Sequence, residues 1–315
     1  MSPRVAVIVR TKDRPGFLAR ALRDIAAQTA TDLEIVIVND RGDRAAVDEV
    51  VVSSSIDLPV TVIDTVAPGG RCAAANAGLR ATGSPYVVLH DDDDLWHPEF
   101  LARTTAHLDA HPEDAGVMVA TEIVRERPDG DGWVEYGREP FWAGLTAISF
   151  TALLEINRAV PISFLYRRAL HDEVGYYDES IETVEDWEFY LRLAARYPIG
   201  FLPGQVLAYW TQRPTARGLD GNSMYELAGA HERDDLIVRD RALRAWVESQ
   251  GPGLPLYIAL VEKRLREEFG RELAVQLDRQ RRDIVAEIYD RHPLWRRLRR
   301  LRGRGSDGPQ GSGRS

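Results

Sequence analysis

Four short runs of β-branched and apolar residues, VAVIV (5–9), EIVIV (34–38), VTVID (60–64) and YVVLH (86–90), are separated by helical patterns and polar loops. That alternation constrains the chain to a mostly parallel sheet covered by helices on both faces. VAVIV is continuously apolar, as suits a strand buried on both sides. Pro15 opens a helix with apolar residues at Phe17, Leu18, Leu22 and Ile25, a 3.6-residue period that runs out near Gln28. A second helix, rich in small residues, is predicted from about Gly70 to Ala81. In sheets of this kind ligands sit beyond the carboxyl ends of the strands. The polar loops 10–14, 39–43 and 91–94 are therefore expected to share one rim.

Further along the pattern loosens. VMVATEIV and WVEY read as strands around the turn PDGDG (128–132), and ISFLY (162–166) as another. A helix is expected from about Val184 to Ala195, a strand pair near 199–210, and a helix opened by Pro98. After Gly221 apolar residues at Val261, Leu265, Phe269, Leu273, Leu277, Ile284 and Ile288 line one stripe of long helices. The division predicted is an α/β domain over 1–220, a helical extension over 221–302, and a tail, 303–315, too rich in Gly and Ser to order. The long helices are of a length that could pair two chains.

Composition removes several classes. At 315 residues, 44% hydrophobic and 28% charged, the chain is neither disordered nor fibrous. Its apolar runs are far short of the roughly 20 residues that cross a bilayer. The first of them is five residues long and is closed by Arg10, Lys12, Asp13 and Arg14, so no secretory leader is expected and the cytoplasm is the predicted compartment. Cys72, the single cysteine, makes neither an internal disulfide nor a zinc cluster, and is expected to be a packed side chain. Residues 1–290 carry 32 basic and 48 acidic side chains. Such a body is a poor nucleic-acid binder. Residues 291–304 instead hold seven arginines and no acid, with Trp295, Leu298 and Leu301 among them. That segment suits a helix lying on an anionic membrane surface, or a solvated tail pairing with the acidic body.

Two carboxylate groups carry chemistry. Asp91, Asp92, Asp93 and Asp94 follow the fourth strand. Four adjacent carboxylates repel, and Mg2+ or Mn2+ relieves the repulsion through oxygen ligands it prefers. If the run is extended, Asp91 and Asp93 face one way and Asp92 and Asp94 the other. A solvated acidic loop, or a helix start before Pro98, is the plainer reading. Glu185 and Asp186 open the later helix, as ordinary N-terminal charge or as a general base.

The segments VAVIVRTKDRPGFLARAL, EIVIVND, GGRCAAANAGLRATGSPYVVLHDDDDLWHPEFL and VGYYDESIETVEDWEFYLRLA resemble, in order and approximate spacing, the family 2 glycosyltransferases of the GT-A fold. The resemblance covers about two thirds of the chain, from Arg4 to Trp210. It implies a Rossmann-like mixed sheet flanked by helices and a nucleotide-diphosphate sugar as donor. It also implies Mn2+ or Mg2+ on a D-x-D motif, with Asp93 the direct ligand and Asp91 reaching the ribose or a metal-bound water. The nucleotide-sugar contacts it implies are Thr11, Asp13, Asp40, Arg71, Asn76, Asp91 and Asp92, although Arg71 also suits a surface ion pair. Asn39-Asp40-Arg41-Gly42 departs from the family's two acids followed by Gly-Ser. Glu185-Asp186-Trp187 matches the motif whose aspartate is the catalytic base of inverting transfer. The implied acceptor is a hydroxyl of a glycan, a lipid-linked sugar or a small molecule, in bacterial cell-surface polysaccharide synthesis. The processive members' Q-x-x-R-W motif is missing.

His90 is expected to be packed or hydrogen-bonded rather than a ligand, and Trp142 to stack on a sugar. Two other classes compete. A nucleotidyltransferase of related fold would carry a glycine-rich phosphate loop after the first strand, and Arg10-Thr11-Lys12-Asp13-Arg14 has no glycine. A non-catalytic helical interaction protein would not need Asp91, Asp93 and Asp186 intact.

Overall fold

Burial on both faces is realised in three of the four predicted strands. β1 (Val5–Thr11), β2 (Leu33–Asn39) and β4 (Tyr86–Asp91) are buried almost throughout, whereas β3 (Val60–Asp64) is half exposed. The order of the seven-stranded sheet explains the difference: it runs β10-β6-β9-β4-β1-β2-β3, and β3 is an edge. The four strands are parallel, with β1 central between β2 and β4. Beyond β4 come β6 (Gly116–Val119), β9 (Phe164–Arg167) and β10 (Gly200–Leu202), with β9 antiparallel to both its neighbours. The computed structural model describes residues 3–130, 132–218, 221 and 227–291.

Each face of this sheet has its own apolar layer. Val5, Val7 and Val9 pack against Leu18, Leu22 and Ile25 of α1 (Pro15–Ala26) and Val47 and Val50 of α2 (Arg44–Ser54). Ala6 and Ile8 face Ala74, Ala75 and Leu79 of α3 (Arg71–Ala81), with Phe189, Tyr190 and Leu193 of α7 (Glu185–Ala194) beyond. The small residues of α3 allow that approach, since a Cβ added at Gly78 would overlap Ile8. Cys72 is buried in this layer, and burial followed by the charge of Glu185 pushes its thiol up to about 12. It is the packed side chain expected.

Several predicted elements shift. VMVATEIV is broken at Ala120: its first half is β6, and its second half starts β7 (Thr121–Asp129) in a separate sheet of order β5-β11-β7-β8. That sheet holds β5 (Leu95–Trp96), β8 (Gly132–Pro140) and β11 (Ala208–Gln212). The predicted pair near 199–210 is no pair, because β10 bonds to β6 and β11 to β7 and β5. In ISFLY, Pro161 starts a 3₁₀ turn, so β9 begins only at Phe164. Pro98 lies in a turn two residues ahead of α4 (Phe100–Ala110). No element is predicted where α2 lies, since its run Val50-Val51-Val52 hides a helix capped by Asp43. Short α5 (Phe150–Glu155) and α6 (His171–Val174) complete this part.

The chain divides into two compact units, Met1–Asp240 and Arg241–Ser315. The predicted boundary at 220/221 falls beside residues outside those described. α8 (Ala228–Gln250) and α9 (Gly253–Arg291) confirm the helical character after Gly221. On α9, pairs four residues apart such as Glu262–Arg266 and Asp278–Arg282 support an isolated helix, while Leu265, Phe269 and Leu277 of the stripe stay exposed. No helix among the described residues is long and apolar enough to cross a membrane. The tail 303–315 and, beyond Arg291, the arginine-rich segment lie outside the described residues.

Candidate active site

The parallel strands end level with one another: Arg10 is opposite Asp91, and Thr11 is opposite Asn39. The loops after β1, β2 and β4 therefore meet, as expected. The backbone N–H of Asp40 donates to the Thr11 carbonyl, and that of Asp43 to Asp13 Oδ1.

The acidic run is not extended. The Asp94 N–H donates to the Asp91 carbonyl at 3.1 Å, closing a turn through Asp92 and Asp93. In such a turn the first and fourth residues come together. Asp91 and Asp94 accordingly line one cavity, and Asp92 and Asp93 are directed elsewhere. This replaces the expected pairing of Asp91 with Asp93.

Arginines saturate the inner pair. Arg14 binds Asp92 through two nitrogens and reaches Asp93 at 3.4 Å. Thr11 Oγ1 donates to Asp92 at 2.7 Å. Arg213, fully buried under the rings of Phe17 and Trp133, binds Asp93 and, at 3.1 Å, Glu126. The outcomes differ. Burial would raise both carboxyls; Arg14 and Arg213 together hold Asp93 below the usual carboxylate range, but Asp92 stays pushed up to about 7. Asp94, which accepts from the Thr211 N–H, is raised further by burial and by Asp93 and Asp91. Neither Thr11 nor Asp92, expected as nucleotide contacts, lines the cavity. They face each other in the interior instead.

A second charged centre faces Asp91. Arg10, 6% exposed, donates from Nε to Asp91 Oδ1 at 2.8 Å and from Nη1 to Glu185 Oε1 at 3.2 Å. It also reaches the Arg71 carbonyl. Glu185 and Asp186 begin α7 after Val184, whose φ of 55° is left-handed. Asp186 accepts from its neighbour's N–H, that of Trp187, at 2.8 Å and from Asn157 Nδ2 at 2.9 Å. Burial first, and Glu185 second, push its carboxyl up to about 7. Arg10, Arg14, Arg213 and Asn157 were not predicted. Arg10 and Arg14 sit among residues read only as polar loop, and nothing local marks Arg213 or Asn157.

The remaining predicted residues divide. Arg71, at the start of α3, lines the cavity. Asp40 accepts from Thr65 Oγ1 at 2.8 Å and from the Gly70 N–H at 2.9 Å, ordering the turn that enters α3. Asp13, at φ 53°, joins the β1 and β2 loops. Asn76 is fully buried and exchanges hydrogen bonds with the Tyr177 backbone, which ties α3 to the segment before α7 and keeps it off the cavity wall. His90 is packed between Asp24 and Trp96, as expected.

The cavity holds about 320 Å³, walled by Phe141, Trp142, Trp210, Val160 and Pro161 beside Asp91, Arg71 and Asp186. Trp142 is on it, with Arg158 over its ring. Among the described residues only three buried side-chain polar atoms have no hydrogen-bond partner, and two, Trp142 Nε1 and His231 Nε2, belong to residues of this wall. His231 enters from α8, which Asp234 fastens to the backbone N–H groups of Glu182 and Thr183 at 2.9 and 2.8 Å.

Whether a divalent cation suits this rim is a question of donors. Asp92 and Asp94 are raised, first by burial and then by the neighbouring aspartates. Asp91 keeps its side chain 26% exposed at the cavity edge. Hard oxygen donors in an over-charged cluster fit Mg2+ or Mn2+. Among the described residues no three His, Cys, Asp or Glu side chains are grouped to hold a metal, so a cation here would need oxygen donors from outside the protein. Asp93 is the less suited ligand, since two guanidinium groups already share its carboxylate.

A strand-end rim of acids and arginines beside an aromatic cavity, on a mixed sheet covered by helices, is the architecture of a GT-A transferase. The model for glycosyl transferase family 2 matches residues 6–175, and the chain belongs to that family. It is 32% identical over 213 residues to the uncharacterized glycosyltransferase YwdF of Bacillus subtilis, covering 65% of this chain and 74% of that one. With a PGL/p-HBAD biosynthesis glycosyltransferase of Mycobacterium tuberculosis it shares 27% over 196 residues, 61% of this chain and 70% of the relative. Among solved structures, S. aureus TarS 1–349 in complex with UDP-GlcNAc superposes with a TM-score of 0.55 at 20% identity, over 70% of this chain and 61% of that one. The mannosyltransferase PcManGT of Pyrobaculum calidifontis, in complex with GDP-Man and Mn2+, gives 0.50 at 20% identity, over 70% and 59%. The chain thus spans about three fifths of those two structures. It is an enzyme family of glycosyl transfer, and the fold is GT-A.

Proposed function

We propose that this chain moves a sugar from a nucleotide diphosphate to an acceptor hydroxyl with inversion at the anomeric carbon, Asp186 acting as general base. The observation that carries the reading is the position of Asp186: a buried carboxylate on the cavity wall, facing Asp91 across the Arg10–Glu185 pair. The nucleotide lies along the rim of Asp13 and Asp40, with Arg71 and the start of α3 toward the diphosphate. As the acceptor oxygen bonds to the anomeric carbon, the bond to the diphosphate breaks and the hydroxyl proton passes to Asp186. Asp91 would hold Mn2+ or Mg2+ at the cavity edge, with Asp93 behind it. When bound, the ion supplies Lewis-acid neutralisation of the departing diphosphate. Arg10 holds Asp91 and Glu185 in register, so the donor rim and the base keep a fixed relation.

The aromatic walls favour an acceptor that presents a sugar or phenolic ring. The mycobacterial relative's part in PGL/p-HBAD biosynthesis supports a cell-surface glycoconjugate over a free metabolite. Such an acceptor also gives the arginine-rich segment a use at the membrane.

The test has two parts. UDP, GDP, dTDP and CDP are screened by thermal shift with and without Mn2+ or Mg2+, since a ligand that binds only the native state raises its melting temperature. Nucleotide release is then followed with the donor so identified. Asp186→Asn should leave the shift intact and lower release by roughly 100-fold or more. Retained activity would assign the base elsewhere.

A further inference from the structure

We propose that Asn157 is the positioning residue that keeps Asp186 aimed at the cavity in its proton-accepting form, an inference that rests on the reading of Asp186 as the base. Asn157 follows α5 on the segment Ile156–Val160 and lines the cavity with Asp186. Its Nδ2 donates to Asp186 Oδ2 at 2.9 Å, and its Oδ1 accepts from the Ala159 N–H at 3.2 Å. The second bond decides the first. With the amide oxygen committed to a backbone donor, the nitrogen must face the carboxylate.

The end of α5 that leads into this segment is pinned from two other helices. Trp187 Nε1 donates to the Leu153 carbonyl at 2.6 Å, and Arg239 donates to the carbonyls of Leu154 and Glu155, both at 2.9 Å. Asn157 is thus carried on a fixed strut rather than a free loop.

A hydrogen bond donated to a carboxylate favours its ionised form. The surroundings of Asp186 oppose that form. Glu185 precedes it, Tyr190 lies one turn on, Asp91 and Asp94 come from the β4 turn, and Asp235 and His231 from α8. Arg10 and Arg71 are the cations facing them. Burial and Glu185 raise the carboxyl, while Asn157, the Trp187 N–H and Arg10 hold it down. A cation in place of Asn157 would depress the base until it no longer took a proton. A neutral amide holds it ionised and still basic.

The experiment titrates the carboxyl directly. Full-length protein labelled with [γ-13C]aspartate is followed by carboxyl NMR, with Asp186→Asn assigning the resonance. Asn157→Leu keeps the size of the side chain and loses the donor without adding a charge. Asp186 should then titrate at a pH higher by about one unit or more, the worth of a hydrogen bond to a charged group. Asn157→Ser, smaller and also neutral, should shift it in the same direction and carries the test if the leucine variant misfolds. In the nucleotide-release assay, with UDP-GlcNAc and GDP-mannose as probes, the activity that the neutral variant loses at pH 7 should return at alkaline pH. A merely structural role predicts an unmoved Asp186 titration in a folded neutral variant and overturns the proposal. If instead Asp186→Asn retains release, the base reading fails by itself, whatever the titration shows.

Discussion

The two carboxylate clusters of this site are both buried and are held in opposite ways. Asp92 and Asp93 face arginine: Arg14 and Arg213 spend their guanidinium groups on them, with Thr11 completing Asp92. Asp186 meets only neutral donors directly, the Asn157 amide and the Trp187 N–H, and its cation Arg10 is reached through Glu185. Asp93, clamped by two guanidinium groups, is held below the usual range and is a poor proton acceptor, because such a pair is worth most when charged; Asp92 is raised by burial but is turned away from the cavity. A carboxylate held by amides remains available. The difference separates a clamp that shapes the rim from a group that can move a proton.

Asp93→Asn should break the clamp with the largest effect on stability. It leaves the fully buried Arg213 with less countercharge, a change that costs roughly 3–5 kcal/mol when one partner of a buried pair is removed. Urea melts at pH 7 measure it; a loss under about 1 kcal/mol would place Asp93 with the surface pairs. Asp186→Asn is the opposite case. Its folded carboxyl is raised, so ionisation disfavours the fold, with a cost that grows from about pH 4 and is full above about 7. The amide removes that cost, so this variant should melt at or above the wild-type temperature at pH 8 while its transfer falls.

The same contrast shows what the sequence could disclose. The parallel core, the shared rim and the α7 start were legible because each is local: an apolar run, a polar loop, a helix-opening acid pair. The β4 turn was not. Four identical residues carry no sign of which pair faces out, and only the Asp94–Asp91 backbone bond decides it. Arg213 lies 120 residues from Asp93 and Asn157 29 from Asp186. Neither partner is marked by spacing, since both are brought in by packing of β11 and of the strut after α5. Trp142 was expected to stack on a sugar, and the structure puts it on one wall with Trp210.

A pH profile sharpens the comparison next. If Asp186 is the base, it works only when ionised, so kcat/KM should fall about tenfold per unit as pH drops below about 7. The direction follows from the raised carboxyl. An acid limb at the ordinary carboxylate position, near 4, would assign the working base to another group. Asp91→Asn should keep the limb where it is, because Asp91 acts on the donor side. Its effect should instead be loss of any Mn2+-dependent rise in nucleotide thermal shift.

The smallest effects are expected on the aromatic wall. Trp142 Nε1 and His231 Nε2 are buried without partners among the described residues, and an unsatisfied polar group of this kind costs about 1–3 kcal/mol. Burial and the nearby Arg71 also hold His231 below the usual imidazole range, so its ring is neutral at pH 7. Both atoms belong to residues bordering the space in which an acceptor ring would lie. Trp142→Phe keeps the ring and removes the N–H, and His231→Phe does the same for the imidazole. Each should leave nucleotide binding and melting temperature unchanged or slightly raised, and should raise the KM for acceptor a few-fold with kcat nearly constant, the signature of lost uniform binding. A fall in kcat with KM unchanged would move these residues from holding the acceptor to the chemistry at Asp186, and the division between clamp and base would then have to include the wall.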